Sequence, residues 1–235
     1  MICSDKTGTL TENQMTVQQV LSGGRLYEIS GVGYSNEGEI SIKIGDPKSV
    51  HKALRECLTA GYLCNDSRVV EKEGRFAVEG DPTEGALIVS ANKSRSVIGD
   101  DIQKFRRVDS IPFESEYQYM ATLHEGQEGE RFIYLKGSFE NILSRCVNQM
   151  EDDGSVQAID RTMVEKYAED MALHGLRVLA FARMDSVAGK ESIDHENIAE
   201  SLTFLGLQGM IDPARKEAID AVKNCYQAGI QVKMI

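Results

Sequence analysis

Runs of apolar residues predict a chain rich in β-strands. The apolar run Met1–Cys3 leads directly into Ser4 and Asp5, which is typical of a buried strand that delivers a polar group to its carboxyl edge. Apolar and β-branched residues cluster between turn-forming residues at ten further places, and these predict strands at Met15–Leu21, Leu26–Ser30, Val69–Val70, Arg75–Val78, Arg107–Phe113, Tyr119–His124, Arg131–Lys136, Leu176–Met184, Leu202–Ile211 and Ile230–Ile235.

Helical spacing of apolar residues recurs between these strands. Asp81 is a suitable N-cap, Pro82 suits the first helical position, and Glu84 three residues after the cap predicts a capping box. Polar and charged residues predict a loop at Glu151–Ser155 and a mobile segment at Asp185–Glu200. The predicted helices are Ser49–Tyr62, Pro82–Ala91, Phe139–Cys146, Arg161–Leu173 and Ala214–Ala228, the last ending at Gly229.

The order of these elements predicts two nested units. The first strand and the last helix and strand form a partial layer, residues 1–13 and 212–235, into which residues 14–211 are inserted. The expected fold class is therefore α/β: a partial Rossmann-like layer with a large insert of mainly antiparallel sheet flanked by helices. Paired crossings are natural hinges, and here they are Thr11–Met15 and Asp212–Arg215.

Composition narrows the function. The chain has 235 residues and a net charge of −11, which suits a substantial core and argues against a nucleic-acid binder. Its five scattered cysteines have no paired spacing, so we expect a reducing compartment, no disulfide framework and no zinc site. No apolar run reaches the roughly 18–20 residues that cross a bilayer, and no signal peptide is evident. We therefore expect a soluble and monomeric piece.

The run Ser4–Thr11, with the sequence Ser-Asp-Lys-Thr-Gly-Thr-Leu-Thr, carries the strongest chemical signal. A carboxylate such as that of Asp5 attacks phosphorus only when the phosphate charge is neutralised, so such a site needs a metal ion and cations. Lys6 is an adjacent cation, and Gly8 lets the main chain approach phosphoryl oxygens closely. The alternative interpretation, a strand followed by an ordinary turn, does not account for the whole run.

The residues from Ile2 to Thr11, with Asn13–Val17, resemble the phosphorylation motif of P-type cation-transporting ATPases, in the branch of the calcium and sodium/potassium pumps. The resemblance covers essentially the whole chain. It implies an ATP-binding region of an ion pump, in which ATP phosphorylates Asp5 and the aspartyl phosphate drives cation transport. Six further segments match family motifs in the family's order: Cys64–Ser67, Gly80–Leu87, Pro112–Ser115 with Met120, Lys136–Glu140, Gly175–Ala180 and Gly209–Arg215.

The resemblance implies a role for each matching residue. Asp5 accepts the phosphoryl group with Lys6 and Thr7 beside it, and the Asp5 carboxylate and the Thr7 carbonyl are the implied Mg²⁺ ligands. Phe113 is implied to stack on adenine. The other implied nucleotide-binding residues are Glu84, Gln118, Lys136, Gly137, Arg177, Asp212 and Arg215.

Simpler explanations exist for several of these residues when each is taken alone. Phe113 also fits a core position on a strand, and Glu84 also fits a helix cap. Lys136 and Arg177 also fit solvated charges. Gln118 is a departure from the family, because calcium pumps commonly carry a lysine shortly after the stacking phenylalanine. Its amide can hydrogen-bond a nucleotide but adds no positive charge.

Thr7 separates two interpretations of the phosphorylation motif. The motif also resembles the haloacid-dehalogenase superfamily, whose phosphatases carry a second aspartate two residues after the nucleophile as acid and base. A threonine at that position cannot perform this role, so an aspartyl phosphate should persist long enough to drive a conformational step. A phosphatase with a large cap is therefore the less favoured alternative, and a non-catalytic nucleotide-binding module is the third.

Several family elements are absent from the sequence, including the late Gly-Asp-Gly-x-Asn-Asp segment that supplies another carboxylate for Mg²⁺. We expect the chain to be a fragment that binds ATP without turnover. In the full-length protein its expected partners are that protein's own membrane, actuator and remaining phosphorylation domains, at the cytoplasmic face of a membrane.

Overall fold

The computed structural model describes residues 1–35, 37–44, 51–72, 74–99, 101–185 and 189–235. The strands are β1 (Ile2–Ser4), β2 (Thr16–Ser22), β3 (Arg25–Ile29), β4 (Ile40–Ile44), β5 (Arg68–Lys72), β6 (Arg75–Glu79), β7 (Arg106–Glu114), β8 (Tyr119–Glu125), β9 (Arg131–Ser138), β10 (Cys146–Met150), β11 (Val156–Ala158), β12 (Arg177–Met184), β13 (Leu202–Ile211) and β14 (Val232–Met234). The α-helices are α1 (Lys52–Leu63), α2 (Pro82–Lys93), α3 (Arg95–Ile98), α4 (Phe139–Arg145), α5 (Arg161–Leu173) and α6 (Lys216–Gln227).

One large sheet dominates the described residues. Its strands run in the order β4-β3-β2-β13-β12-β9-β8-β7, and every neighbouring pair in this series is antiparallel. β10 lies parallel to the first half of β13 and pairs with β11. β5 and β6 form a separate hairpin. The predicted mixed α/β fold with a large antiparallel sheet is therefore confirmed.

The central strands are buried on both faces of this sheet. Along β8, Tyr119 and Leu123 point into a core covered by α4 and α5, and Met120 points into a second core covered by α1 and α2. Successive side chains of a strand face opposite ways, so two covered faces require a nearly continuous apolar run. The apolar segments Tyr119–His124 and Arg131–Lys136 are of this kind.

Strands β4, β10 and β11 are not among those predicted from the sequence, whereas one predicted loop is confirmed. The predicted loop Glu151–Ser155 is confirmed as the turn of a β10–β11 hairpin. The second strand of this hairpin has only three residues, all of them exposed, and is too short to give a detectable apolar pattern. β4 is also half-exposed and was not predicted. Three parts of the predictions lie outside the described residues: Ser49 and Val50 of the first helix, Glu73 between the strands Val69–Val70 and Arg75–Val78, and residues 186–188 of the charged segment.

Residues 189–200 of the charged segment Asp185–Glu200 contact the sheet, and the mobility predicted for this segment stays a prediction. The His195 ring stacks on Tyr117 with centroids 4.0 Å apart, and its Nδ1 lies 2.6 Å from the Tyr119 hydroxyl. The Ile193 amide donates a 2.8 Å hydrogen bond to Asp109 Oδ2. The charged composition of the segment gives no indication of these contacts, because its few apolar and aromatic groups are the ones that pack.

The two ends of the chain form a small separate layer. β1 and β14 pair in parallel, with Ile2 opposite Val232, and Asp5 follows the end of β1. The two crossings meet at an isolated bridge between Thr11 and Ala214. Among the described residues, no helix combines the length and apolar character needed to cross a membrane.

Candidate functional site

A pocket of about 220 Å³ opens where the N-terminus of α2 faces the edges of β7, β9 and β12. Its wall combines an aromatic ring, aliphatic side chains and charges of both signs. Most ligand pockets have this character, with an apolar lining and a few placed polar groups. The lining residues are Asp66, Asp81, Thr83, Glu84, Leu87, Phe113, Met120, Lys136, Gly137, Arg177 and Leu179.

The N-terminus of α2 is fixed at the pocket by its cap. Asp81 Oδ1 accepts hydrogen bonds from the backbone amides of Thr83 at 2.7 Å and Glu84 at 3.2 Å, as predicted for an N-cap. The predicted capping box is wrong, because the Asp81 amide donates to Ser67 Oγ at 2.8 Å instead of to Glu84. The Glu84 side chain therefore does not cap the helix and lines the pocket instead.

Glu84 and Lys136 form a buried ion pair in the pocket wall. Lys136 Nζ donates to Glu84 Oε1 at 2.5 Å, and the two side chains are only 7% and 15% exposed. Glu84 Oε2 accepts from the Ser67 hydroxyl at 2.7 Å and from the Asp66 amide at 3.2 Å. A buried charge persists only when it is paired and hydrogen-bonded, so this arrangement fixes both side chains in place.

Arg107 supports this wall from outside the pocket. Its guanidinium donates to Asp66 Oδ1 at 2.6 Å, to the Leu63 carbonyl at 2.8 Å and to the Asn65 carbonyl at 2.5 Å. Asn65 Nδ2 in turn donates to the Glu84 carbonyl at 2.9 Å. No motif in the sequence indicates a role for Arg107, because only the packing of β7 beside the end of α1 brings it to this loop.

Phe113 is an unusually exposed aromatic residue on β7. Its side chain is 56% exposed at the pocket rim. The pairing of β7 with β8 is irregular between Ile111 and Glu114, and such irregularities redirect side chains out of the regular alternation. Gly137 on β9 allows the strands to approach here, because a Cβ at this position would lie 2.5 Å from the Gln118 carbonyl oxygen.

Gln118 lies outside the lining of this pocket. It adopts a positive φ of 56° in the turn between β7 and β8. Its side-chain Oε1 accepts hydrogen bonds from Asn141 Nδ2 at 3.0 Å and from Ser138 Oγ at 3.3 Å. The amide is therefore bound to the first turn of α4, and its role toward a nucleotide stays a prediction.

Arg177 lies between the pocket and a second, larger cleft. Its Nη1 donates to Thr83 Oγ1 at 3.2 Å on the pocket side. The second cleft, of about 640 Å³, is lined by Arg177 together with Lys6 and Asp212, among others. One arginine thus borders both the pocket beside Phe113 and the space that leads to the turn after Asp5.

Asp5, Lys6 and Thr7 are exposed and follow β1 in an irregular turn, Lys6–Leu10. Gly8 has φ +73° there, and its amide donates to Thr11 Oγ1 at 3.3 Å. Within the described residues no group of three or more His, Cys, Asp or Glu side chains is placed to hold a metal ion. The role of the Asp5 carboxylate and the Thr7 carbonyl as Mg²⁺ ligands stays a prediction.

Asp212 and Arg215 connect the two crossings. Asp212 Oδ2 accepts a 2.6 Å hydrogen bond from the Thr11 hydroxyl, and its Oδ1 accepts from the Gln14 amide at 3.2 Å. Arg215 Nε donates to the Thr11 carbonyl at 2.9 Å, and its Nη2 donates to the Gly8 carbonyl at 3.3 Å. Their observed contacts hold the Asp5 turn against the second crossing, away from the pocket beside Phe113.

Comparison with known proteins agrees with this architecture. A mixed α/β structure with a large antiparallel sheet is consistent with the nucleotide domain of a P-type ATPase. Residues 53–217 match the family model described as the P-type ATPase cytoplasmic domain N, and the chain belongs to that family. The resemblance predicted from the motifs is confirmed.

Relatives align over the full length of this chain. It is 54% identical to the cation-transporting ATPase pma1 of Synechocystis sp., 36% identical to the calcium-transporting ATPase of Bacillus subtilis and 38% identical to the calcium-transporting ATPase type 2C member 2 of Mus musculus. The chain spans 26%, 27% and 24% of these three proteins, which is about a quarter of each.

Proposed function

We propose that this chain binds ATP in the pocket beside Phe113, as part of a cation-transporting P-type ATPase. The single observation that carries the proposal is the exposed Phe113 ring at the rim of a pocket whose wall holds Lys136 and Arg177. An exposed aromatic face stacks on a base without needing base-specific hydrogen bonds. The adjacent cations suit a polyphosphate, although the chain as a whole is acidic.

The proposed binding mode places the adenine against Phe113 and near the Glu84–Lys136 pair. Both Glu84 oxygens already accept hydrogen bonds from the protein, so only a remaining lone pair can receive the adenine amino group. Lys136 is already paired with Glu84, so Arg177 is the better placed cation to bind phosphate oxygens. The triphosphate then extends from Arg177 toward Lys6 through the second cleft.

In the full-length protein, the proposed reaction is transfer of the terminal phosphoryl group of ATP to Asp5. An Asp5 carboxylate oxygen forms the new bond to phosphorus as the bond to the ADP oxygen breaks, and ADP leaves with its electron pair. Lys6 offsets negative charge beside the acceptor. Thr7 provides no acid or base for hydrolysis, so the aspartyl phosphate persists.

We assign residues 1–13 and 212–235 to a partial phosphorylation domain of haloacid-dehalogenase type, and residues 14–211 to the nucleotide-binding domain. The parallel β1–β14 pair with Asp5 at its carboxyl edge supports this division, as does the meeting of the crossings at Thr11 and Ala214. Mg²⁺ stays a prediction from the sequence. Among the described residues, no group of three or more His, Cys, Asp or Glu side chains is placed to hold it.

The complete protein is proposed to move cations across a membrane, with this region on the cytoplasmic side. The names of the relatives support transport of cations, calcium among them. Its partners in that protein would be the membrane, actuator and remaining phosphorylation domains. By itself the chain would bind ATP as a monomer without turnover.

Calorimetric titration of this chain with ATP and with GTP tests the proposal. We expect binding of ATP and weaker binding of GTP, whose base lacks the amino group at the adenine position. The phosphatase alternative is tested in parallel with a generic phosphate ester. Turnover of the ester without preference for ATP would contradict the pump assignment, and absence of ATP binding would contradict the site.

A further inference from the structure

A glycine-rich loop between β3 and β4 contacts both the far end of α2 and the first crossing. Its described parts, Ser30–Ser35 and Glu37–Glu39, are called the brace loop below. The loop is closed at its neck, where the Ser30 amide donates to the Glu39 carbonyl at 3.0 Å and the Glu39 amide donates to Ser30 Oγ at 2.9 Å. Gly31 is required at the neck, because its φ is +80° and a Cβ would lie 2.2 Å from the Glu37 carbonyl oxygen.

Lys93, the last residue of α2, anchors the neck of the brace loop. Its side chain is inserted between Gly31 and Gly38, and its Nζ donates to the Ser30 carbonyl at 3.2 Å. The residue is only 8% exposed, and burial lowers the pKa of its ammonium group. Among the described residues, no carboxylate forms an ion pair with Lys93. Burying an unpaired lysine is costly, so its position indicates a specific structural role.

The tip of the brace loop contacts the first crossing. The Gly33 amide donates to Thr16 Oγ1 at 3.1 Å, and the Thr16 hydroxyl donates to the Gln14 carbonyl at 3.1 Å. The Gln14 amide donates to Asp212 Oδ1 in the second crossing. A continuous series of hydrogen bonds therefore runs from the loop tip to both crossings.

Tyr34, next to Gly33, is a buried residue of the brace loop. It is 7% exposed, and its pKa is raised by burial and also by the nearby carboxylates of Asp212 and Asp81. Asp81 caps the first turn of α2 at the pocket, and Asp212 holds the crossings together. Tyr34 thus lies near carboxylates of both the α2 cap and the second crossing.

We propose that the brace loop is a positioning element for the crossings, with Lys93 as its anchor and the Gly33 amide as its contact. The first turn of α2 lines the pocket. Because the loop contacts both the end of α2 and the first crossing, a shift of α2 shifts Gln14 and its hydrogen-bond partner Asp212 as well. This inference rests on the proposed function for one point only, namely that the crossings act as a hinge. The positioning itself is a property of this chain.

Hydrogen exchange at individual backbone amides tests the inference in the chain itself. In Lys93→Met, we expect the Gln14 and Gly33 amides to exchange about tenfold faster, because the loop that orders them has lost its anchor. The matched control is Lys43→Met, which removes an exposed lysine paired with Glu28 on the neighbouring strands. That variant should leave the exchange rates of the Gln14 and Gly33 amides unchanged.

The reciprocal variant Thr16→Val removes the contact at the loop tip while keeping the shape of the side chain. It should accelerate exchange of the Ser30 and Glu39 amides at the distant neck. It also gives an independent test if Lys93→Met folds poorly. Unchanged Gln14 exchange in Lys93→Met, unchanged neck amides in Thr16→Val, or uniform acceleration throughout the sheet would each overturn the proposal.

Titration of the same samples with ATP separates this inference from the proposed function. Wild-type protein that fails to bind ATP would contradict the nucleotide site and leave the exchange result as it stands. Wild-type protein that binds ATP, with Gln14 exchange insensitive to Lys93→Met, would contradict only the brace.

Discussion

Lys136 and Glu84 lie on different elements, 52 positions apart in sequence, and meet in a 2.5 Å ion pair that closes one wall of the pocket. The Ser67 hydroxyl and the Asp66 amide bind the other carboxylate oxygen. The pair is therefore part of the scaffold as well as of the site. Removing one partner should cost stability and binding together.

Lys136→Met should lower the free energy of unfolding by about 2–4 kcal/mol, because it leaves the Glu84 carboxylate buried without its cation. Lys72→Met is the matched control, since Lys72 pairs with Glu79 and both side chains are more than half exposed. An exposed pair contributes at most about 1 kcal/mol. Urea unfolding measures both changes, and equal losses would show that the buried pair has no special role.

Arg107→Met should weaken ATP binding by about three- to tenfold, roughly 0.7–1.4 kcal/mol. The reason is that the loop carrying Asp66 loses three hydrogen bonds behind the Glu84 wall. Arg106→Met is the control, because the neighbouring Arg106 is exposed and pairs with Glu125. Calorimetry should show unchanged affinity in this control. A similar loss in both variants would rule out a specific role for Arg107.

Stability should decline in acid through His124. This residue is buried in β8, stacks on Phe132 and has its pKa lowered from 6.5 to about 3, chiefly by burial. The unfolded chain therefore binds a proton that the folded chain excludes between these two pH values. The contribution of His124 to the free energy of unfolding is fully present above pH 6.5. It falls by up to about 1.4 kcal/mol per pH unit as the pH drops toward 3.

The pH dependence of urea unfolding in two histidine variants isolates this contribution. His124→Phe keeps an aromatic ring beside Phe132 and should flatten the slope between pH 6.5 and 4 by about one proton. His174→Gln changes an exposed histidine at the end of α5 and should leave the slope intact. An unchanged slope in His124→Phe would assign the acid sensitivity to other groups.

Local pattern predicted most of the elements. The amphipathic spacing in Arg161–Leu173 gave the bounds of α5, and the Asp81-Pro82 pair gave the start of α2. Motif matching also selected Phe113 and Arg177, which line one pocket in the structure. Residues chosen from a ligand-binding motif tend to meet at one site because the ligand requires it.

Long-range contacts could not be predicted in the same way. Nothing in the local sequence indicates that Arg107 reaches the loop at Asn65, because that contact depends on how β7 packs beside α1. The hydrogen bond from Asn141 to Gln118 likewise depends on the turn between β7 and β8. Side-chain partners across elements depend on sheet register and packing, which a pattern of apolar positions does not specify.

The isolated chain should form little or no acyl phosphate when incubated with ATP and Mg²⁺. The described residues around Asp5 offer no cluster of metal-binding side chains, so the charge of the transferring phosphoryl group is incompletely neutralised. Terminally labelled ATP followed by acid precipitation measures the product. Stable, hydroxylamine-sensitive label at Asp5 would show that the chain's own residues are sufficient.

The most direct test of the ATP site is calorimetric titration of the chain and its Phe113→Ala variant with ATP. The variant should bind more than tenfold more weakly, a loss of at least about 1.4 kcal/mol that corresponds to one base stack. Phe76→Ala is the matched control, because Phe76 is also an exposed phenylalanine but lies on the separate β5–β6 hairpin. Its affinity should equal that of the unmodified chain. Unchanged affinity in Phe113→Ala, or an equal loss in Phe76→Ala, would contradict the placement of adenine on Phe113.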